Sequence, residues 1–122
     1  ITSATDDMLI GQILENLAKN VDYISPMVYP SHYYSGSYGL AHPNGSPYET
    51  VYRALFDAVK RLEKIEGLKA EIRLWLQDFT LGKPSYGDQI KATYDAGLSQ
   101  WILWDPANNY SAKALEHQSL KD

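Results

Sequence analysis

The chain has 122 residues, a length suited to one domain with a real core, and its 44% hydrophobic and 21% charged residues form an ordinary globular balance. Its formal charge is −4, and its densest cation cluster, Lys60, Arg61 and Lys64, is interleaved with Glu63 and Glu66, which excludes a phosphate-tracking nucleic-acid surface. The lack of cysteine excludes disulfides and thiolate metal sites, and no apolar run approaches the roughly 18 residues of a membrane span.

The first predicted element is a helix over about 6–19. Leu9, Ile10, Ile13, Leu14 and Leu17 recur at helical spacing, Thr5 is placed to cap it, and Asp6 and Asp7 suit the positive end of its dipole. A strand over about 22–29 follows, rich in β-branched and aromatic residues, with Pro26 arguing against full pairing because it has no N–H to donate. A long loop from Pro30 to Pro47 carries His32, Tyr33, Tyr34, Tyr38 and His42. Ser46-Pro47-Tyr48-Glu49 then reads as a capping box that opens a helix over about 47–65, ended by Gly67. A strand over 71–79, a helix over 86–98 begun by Ser85, a strand over 101–105 and a short helix over 111–118 complete the chain. The opening at Ile1, with neither initiator Met nor signal peptide, reads as a processed product or a piece of a longer protein.

Strands alternating with helices imply an α/β fold of parallel strands joined by right-handed crossovers. An open doubly wound sheet would make these strands nearly continuous aliphatic runs. They alternate instead. Ile24, Pro26 and Val28 oppose Tyr23, Ser25, Met27 and Tyr29, while Ile72, Leu74 and Leu76 oppose Arg73, Trp75 and Gln77. A guanidinium under a helix layer would strand several donors, at a cost of about 1–3 kcal/mol for each unsatisfied group. Arg73 therefore points into a polar interior, where a carboxylate from a neighbouring strand can pair with it, or else reaches solvent from an edge strand. The expected architecture is the C-terminal part, about three βα units, of a TIM-type (β/α)8 barrel. Three strands cannot close such a barrel, so the exposed face needs either the rest of the barrel upstream or a second copy of the chain.

Ile24-Ser25-Pro26-Met27-Val28-Tyr29-Pro30-Ser31-His32-Tyr33, Leu74-Trp75-Leu76-Gln77-Asp78-Phe79 and Leu103-Trp104-Asp105-Pro106-Ala107-Asn108 resemble the C-terminal part of a bacterial glycoside hydrolase-like family first catalogued as a domain of unknown function. The resemblance spans essentially the whole chain. It implies the sixth, seventh and eighth strands of a barrel and an extracytoplasmic enzyme. More distantly, Met27-Val28-Tyr29 is similar to the Met-x-Tyr strand end of chitinase-like family 18 barrels, and Trp104 to the Trp that floors their sugar site. The position that is Asp in those enzymes is Pro30 here, and their acidic signature lies on an earlier strand, so their chemistry does not transfer.

Glycoside hydrolysis generally needs two carboxyl groups roughly 5–10 Å apart, and barrel enzymes draw them from the C-terminal ends of strands. Asp78 and Asp105 stand at such ends and are the catalytic candidates, although parity turns both away from the axis and the Asp105-Pro106 pair also favours a plain turn. Tyr29, Trp75 and Trp104 offer aromatic faces for pyranose stacking; Gln77, His32 and Asn108 offer polar partners for hydroxyls. His32, His42 and His117 lack ligand-like spacing, so no metal or other cofactor is expected. The leading expectation is part of a glycoside hydrolase acting on a polysaccharide or cell-wall glycan, incomplete as a catalyst alone. The alternative is a non-catalytic carbohydrate-binding or cell-wall-associated module. A flavodoxin-like domain is disfavoured by Arg73 and Gln77 within a strand and by the lack of a Gly-rich phosphate loop.

Overall fold

The computed structural model of the protein describes residues 2–80 and 84–121. It is an α/β fold of short parallel strands. In chain order these are α1 (Leu14–Ala18), β1 (Tyr23–Ile24), β2 (Met27–Val28), α2 (Pro47–Glu63), β3 (Glu71–Ile72), β4 (Leu74–Gln77), α3 (Tyr86–Asp95) and β5 (Trp101–Trp104). Three 3-10 turns, Pro30–His32, Ser37–Gly39 and Pro43–Gly45, occupy the loop after β2, and a 3-10 segment, Ala112–Lys121, closes the chain. The short helix expected over 111–118 is this 3-10 segment.

β1 pairs with β3, and β2, β4 and β5 lie side by side in that order, every pair parallel. Tyr23 faces Glu71 and Met27 faces Trp75, so the offset is 48 in both ladders (71 − 23 = 75 − 27). The two ladders are thus one pairing interrupted at a single place. Pro26 lies at the interruption. Its carbonyl still accepts from Trp75 N–H at 2.9 Å, but it has no N–H to return.

The alternation read in the sequence is present in space. Leu74 and Leu76 are wholly buried, with Ile24, Val28 and Ile72 nearly so, packed with Val51, Ala54, Leu55 and Ala58 of α2 and Ile90 and Ala92 of α3. On the opposite face Met27 is 71% exposed and Trp104 40%, and Tyr23 is also open. Arg73 lies on this open face. Its guanidinium carbon sits 4.1 Å from the centre of the Tyr23 ring, and its Nε donates to Gln100 Oε1 at 2.8 Å. Gln100 Nε2 in turn donates to Glu71 Oε2 at 2.6 Å. The carboxylate expected from a neighbouring strand is not the partner: Arg73 binds Gln100, and the carboxylate beyond it, Glu71, belongs to Arg73's own strand segment.

The first helix is the largest departure. Only Leu14–Ala18 is helical. Asp6 and Asp7 do not start a helix; their carboxylates accept from the N–H groups of Met8 and Leu9 at 2.9 and 3.0 Å, forming local turns. Met8 and Leu9 then take left-handed φ of 51° and 59°, and Gly11 one of 72°. Leu9, counted in the apolar stripe, is 98% exposed. Ser46 also makes no side-chain cap for α2, where Thr50 Oγ1 instead donates to the carbonyls of Ser46 and Pro43 at 2.9 and 3.0 Å. Ser85 does cap α3, accepting from Asp88 N–H at 3.1 Å.

Arg61 of α2 anchors the N-terminal segment. Its guanidinium holds both carboxylate oxygens of Glu15, at 2.7 and 2.6 Å, and donates to the carbonyls of Thr2 and Ala4 at 3.0 and 2.7 Å. This bidentate bond holds the Glu15 carboxyl below its ordinary range.

Candidate functional site at the C-terminal strand ends

The C-terminal ends of β2, β4 and β5 lie together because the strands are parallel and in register. Tyr29 follows β2 and Phe79 follows β4, and the Pro30–His32 turn brings His32 back over both. The three rings meet edge to face, with centroids 5.3 Å apart for Tyr29 and His32, 5.1 Å for Tyr29 and Phe79, and 5.6 Å for His32 and Phe79. Tyr29 is the buried member, and burial raises its phenol's pKa above the ordinary range, with Tyr110 adding to the shift. His32 is exposed and Phe79 half-buried.

Trp75 and Trp104 form a second aromatic group on the open face, with ring centroids 5.9 Å apart at an interplanar angle of 80°. Met27, beside Trp75 in the ladder, extends this surface. An exposed Trp104 indole held edge to face against a half-buried Trp75 by neighbouring strands suits the apolar face of a pyranose.

The polar candidates behave differently. Gln77 is wholly buried, its Oε1 accepting from Ser31 N–H at 3.0 Å and its Nε2 donating to the Phe79 carbonyl at 3.1 Å and Thr80 Oγ1 at 3.3 Å. Its backbone N–H and carbonyl are bound by the Gln89 amide of α3, both at 2.9 Å. Asp78 is 1% exposed; Ser111 donates to it from its backbone N–H at 2.6 Å and from its hydroxyl at 2.7 Å. Asp105, also buried, accepts from the N–H groups of Ala107 and Asn109 at 2.9 and 3.2 Å. Each of the two candidate carboxylates is engaged in holding a loop. Asn108 sits in the Asp105 turn, exposed, with a left-handed φ of 59°.

The structure thus brings Tyr29 to His32, Trp75 to Trp104, and Gln77 to the backbone beside His32. It engages both Asp78 and Asp105 with the segment after β5, Asp78 at Ser111 and Asp105 at Ala107 and Asn109. Sequence reading had not placed Phe79, Thr80, Ser31 or Gln89 in the site. For Phe79 the signal was available, since residues 75, 77 and 79 share one parity. For Gln89 there was none, because a helix register alone does not show that an amide reaches a strand's backbone. The hydroxyl of Ser31 is buried and has no hydrogen-bond partner among the described residues.

Clefts of about 410 and 520 Å³ lie at the other end of the sheet, the first between residues 18–22 and 65–70, the second beside Leu68 and Gly97–Gln100. These clefts lie at the N-terminal ends of the strands, away from the aromatic rings, whereas a hollow of about 440 Å³ is lined by Met27, Tyr33 and Trp75. His117, weighed above as a metal ligand, has its side chain outside the described residues. Among the described residues no helix is long and apolar enough to cross a membrane. No curated protein and no solved structure matches the chain. Over residues 1–110 it matches the family described as "Putative glycosyl hydrolase domain", and by that match, which covers most of its length, the chain belongs to this family.

Proposed function

We propose that the chain forms one wall of a glycoside hydrolase barrel acting on a polysaccharide or cell-wall glycan outside the cytoplasm, with its open sheet face turned to the sugar. The observation that carries this reading is the edge-to-face pair of Trp75 and Trp104 on the face away from the helices, beside exposed Met27. His32 and Asn108 complete the sugar-facing set at the strand ends, with buried Tyr29 packed edge to face against the His32 ring. The more distant resemblance to chitinase-like barrels rests on the Met27-Val28-Tyr29 motif and Trp104 in the sequence. The remaining strands of the barrel cover the open face and supply the reacting carboxylates. Asp78 and Asp105 act in this account by shaping the loops. A second copy packed on the open face is the competing arrangement, and it would hide both indoles from a glycan.

A binding-only module, attached to glycan without cleaving it, is favoured by one observation: both strand-end carboxylates are occupied by loop anchors. The two readings separate in one assay. The protein at its natural full length is mixed with insoluble polysaccharides, and bound protein and newly released reducing ends are measured together. Retention with release supports the hydrolase, retention without release supports the binding module, and neither retention nor release contradicts both.

A further inference from the structure

We propose that Gln77 is a positioning residue, one that clasps the loops after β2 and β4 together and thereby fixes the Tyr29, His32 and Phe79 rings, without touching sugar itself. The inference rests on the glycan reading above for what the rings do, and on hydrogen bonds alone for the clasp. A side-chain amide has two N–H donors, and those of Gln77 go to the Phe79 carbonyl and to Thr80 Oγ1. Its oxygen accepts from Ser31 N–H, in the turn that carries His32. With its side chain wholly buried and both donors engaged, the amide has no N–H left for a hydroxyl ligand.

Both loops bear marks of being held. Thr80 has φ of 83°, a conformation a β-branched residue rarely adopts, and its hydroxyl is one of the clasped groups. Ser31 places its backbone N–H on the Gln77 amide oxygen at 3.0 Å, which ties the turn carrying His32 to β4. Gln77 is itself held from behind, its N–H and carbonyl bound by the buried Gln89 amide of α3. The chain of contacts runs from helix to strand to two loops, and ends at the three rings.

The test uses Gln77→Met, which keeps side-chain length and removes the amide, in the protein at natural full length. Two readouts are taken: the ring resonances of His32 and Phe79 by NMR, and affinities for chitohexaose, cellohexaose and mannohexaose. The expected result is displaced His32 and Phe79 resonances, with affinity for whichever sugar the unmutated protein binds falling roughly three- to tenfold as preorganisation is lost. Unmoved ring resonances overturn the proposal, as does a lowered Tm with unchanged affinity in the folded protein. Should Gln77→Met not fold, Thr80→Ala removes one clasped acceptor at an exposed position; the same resonances should move by less, and their staying fixed overturns the clasp. Displaced resonances in a protein whose unmutated form binds none of the three sugars support the clasp and count against the glycan reading instead.

Discussion

Ser31 and Leu9 show how single residues are held where their own chemistry is poorly served. The Ser31 hydroxyl is buried without a partner among the described residues, and an unsatisfied hydroxyl costs free energy that a methyl group does not. Ser31→Ala is therefore expected to leave stability unchanged or raise it by up to about 1 kcal/mol by urea unfolding; a loss beyond about 1 kcal/mol would show that the hydroxyl has a partner. Leu9 is almost fully exposed at φ 59°, so its side chain contributes little packing while its backbone is strained. Leu9→Gly should stabilise by about 0.5–1 kcal/mol, because glycine enters the left-handed region without the Cβ clash. A destabilised Leu9→Gly protein would mean that this leucine is covered. Neither feature was legible in the sequence, where Leu9 matched the helical stripe and Ser31 looked like any loop serine. Periodicity reports which residues could face a core; it does not report that Asp6 and Asp7 compete for the same backbone N–H groups.

At the scale of elements, the strands and the two long helices were readable and the termini were not. Alternation in β4 worked because one face of the sheet is packed and the other open, so burial follows parity from Ile72 to Leu76. Parity fails at Gln77, which belongs to the open face and is nonetheless buried, because the loops it binds fold over it. Tethering of the N-terminal segment was also invisible, since Arg61 looked like part of a solvated cluster. Arg61→Ala should cost about 1.5–3 kcal/mol through loss of charge-assisted bonds to Glu15 and of the bonds to Thr2 and Ala4, measured by chemical denaturation. The pH dependence follows from the same pair. Glu15 is held below its ordinary range in the folded state by Arg61, so its contribution is complete above the unfolded glutamate pKa and is lost as pH falls through the lowered folded one. The stability gap between the parent and Arg61→Ala proteins should accordingly narrow on acidification below the ordinary glutamate range, leaving the share carried by the Thr2 and Ala4 carbonyls. A gap that persists unchanged to low pH would place the effect elsewhere.

Over the whole molecule, one sheet face is sealed by α2 and α3 and the other presents indoles, a thioether and a stacked guanidinium. The sequence carried this two-sidedness clearly, along with the family to which the chain belongs. It could not tell how Asp78 and Asp105 are used, because a strand-end aspartate reads alike whether it holds a loop or reacts with substrate. Trp104 stands on the open face and is substantially exposed, so its effects on binding and on stability can be measured separately. The most direct measurement is an equilibrium titration of the protein at natural full length with a soluble fragment of the glycan that retains it, comparing the parent with Trp104→Ala. Loss of the indole is expected to weaken binding by roughly three- to tenfold, as for the removal of one aromatic stacking partner, while Tm changes little. Equal affinity in the two proteins, or a collapse of Tm with the affinity of the folded fraction unchanged, would contradict a sugar-facing sheet.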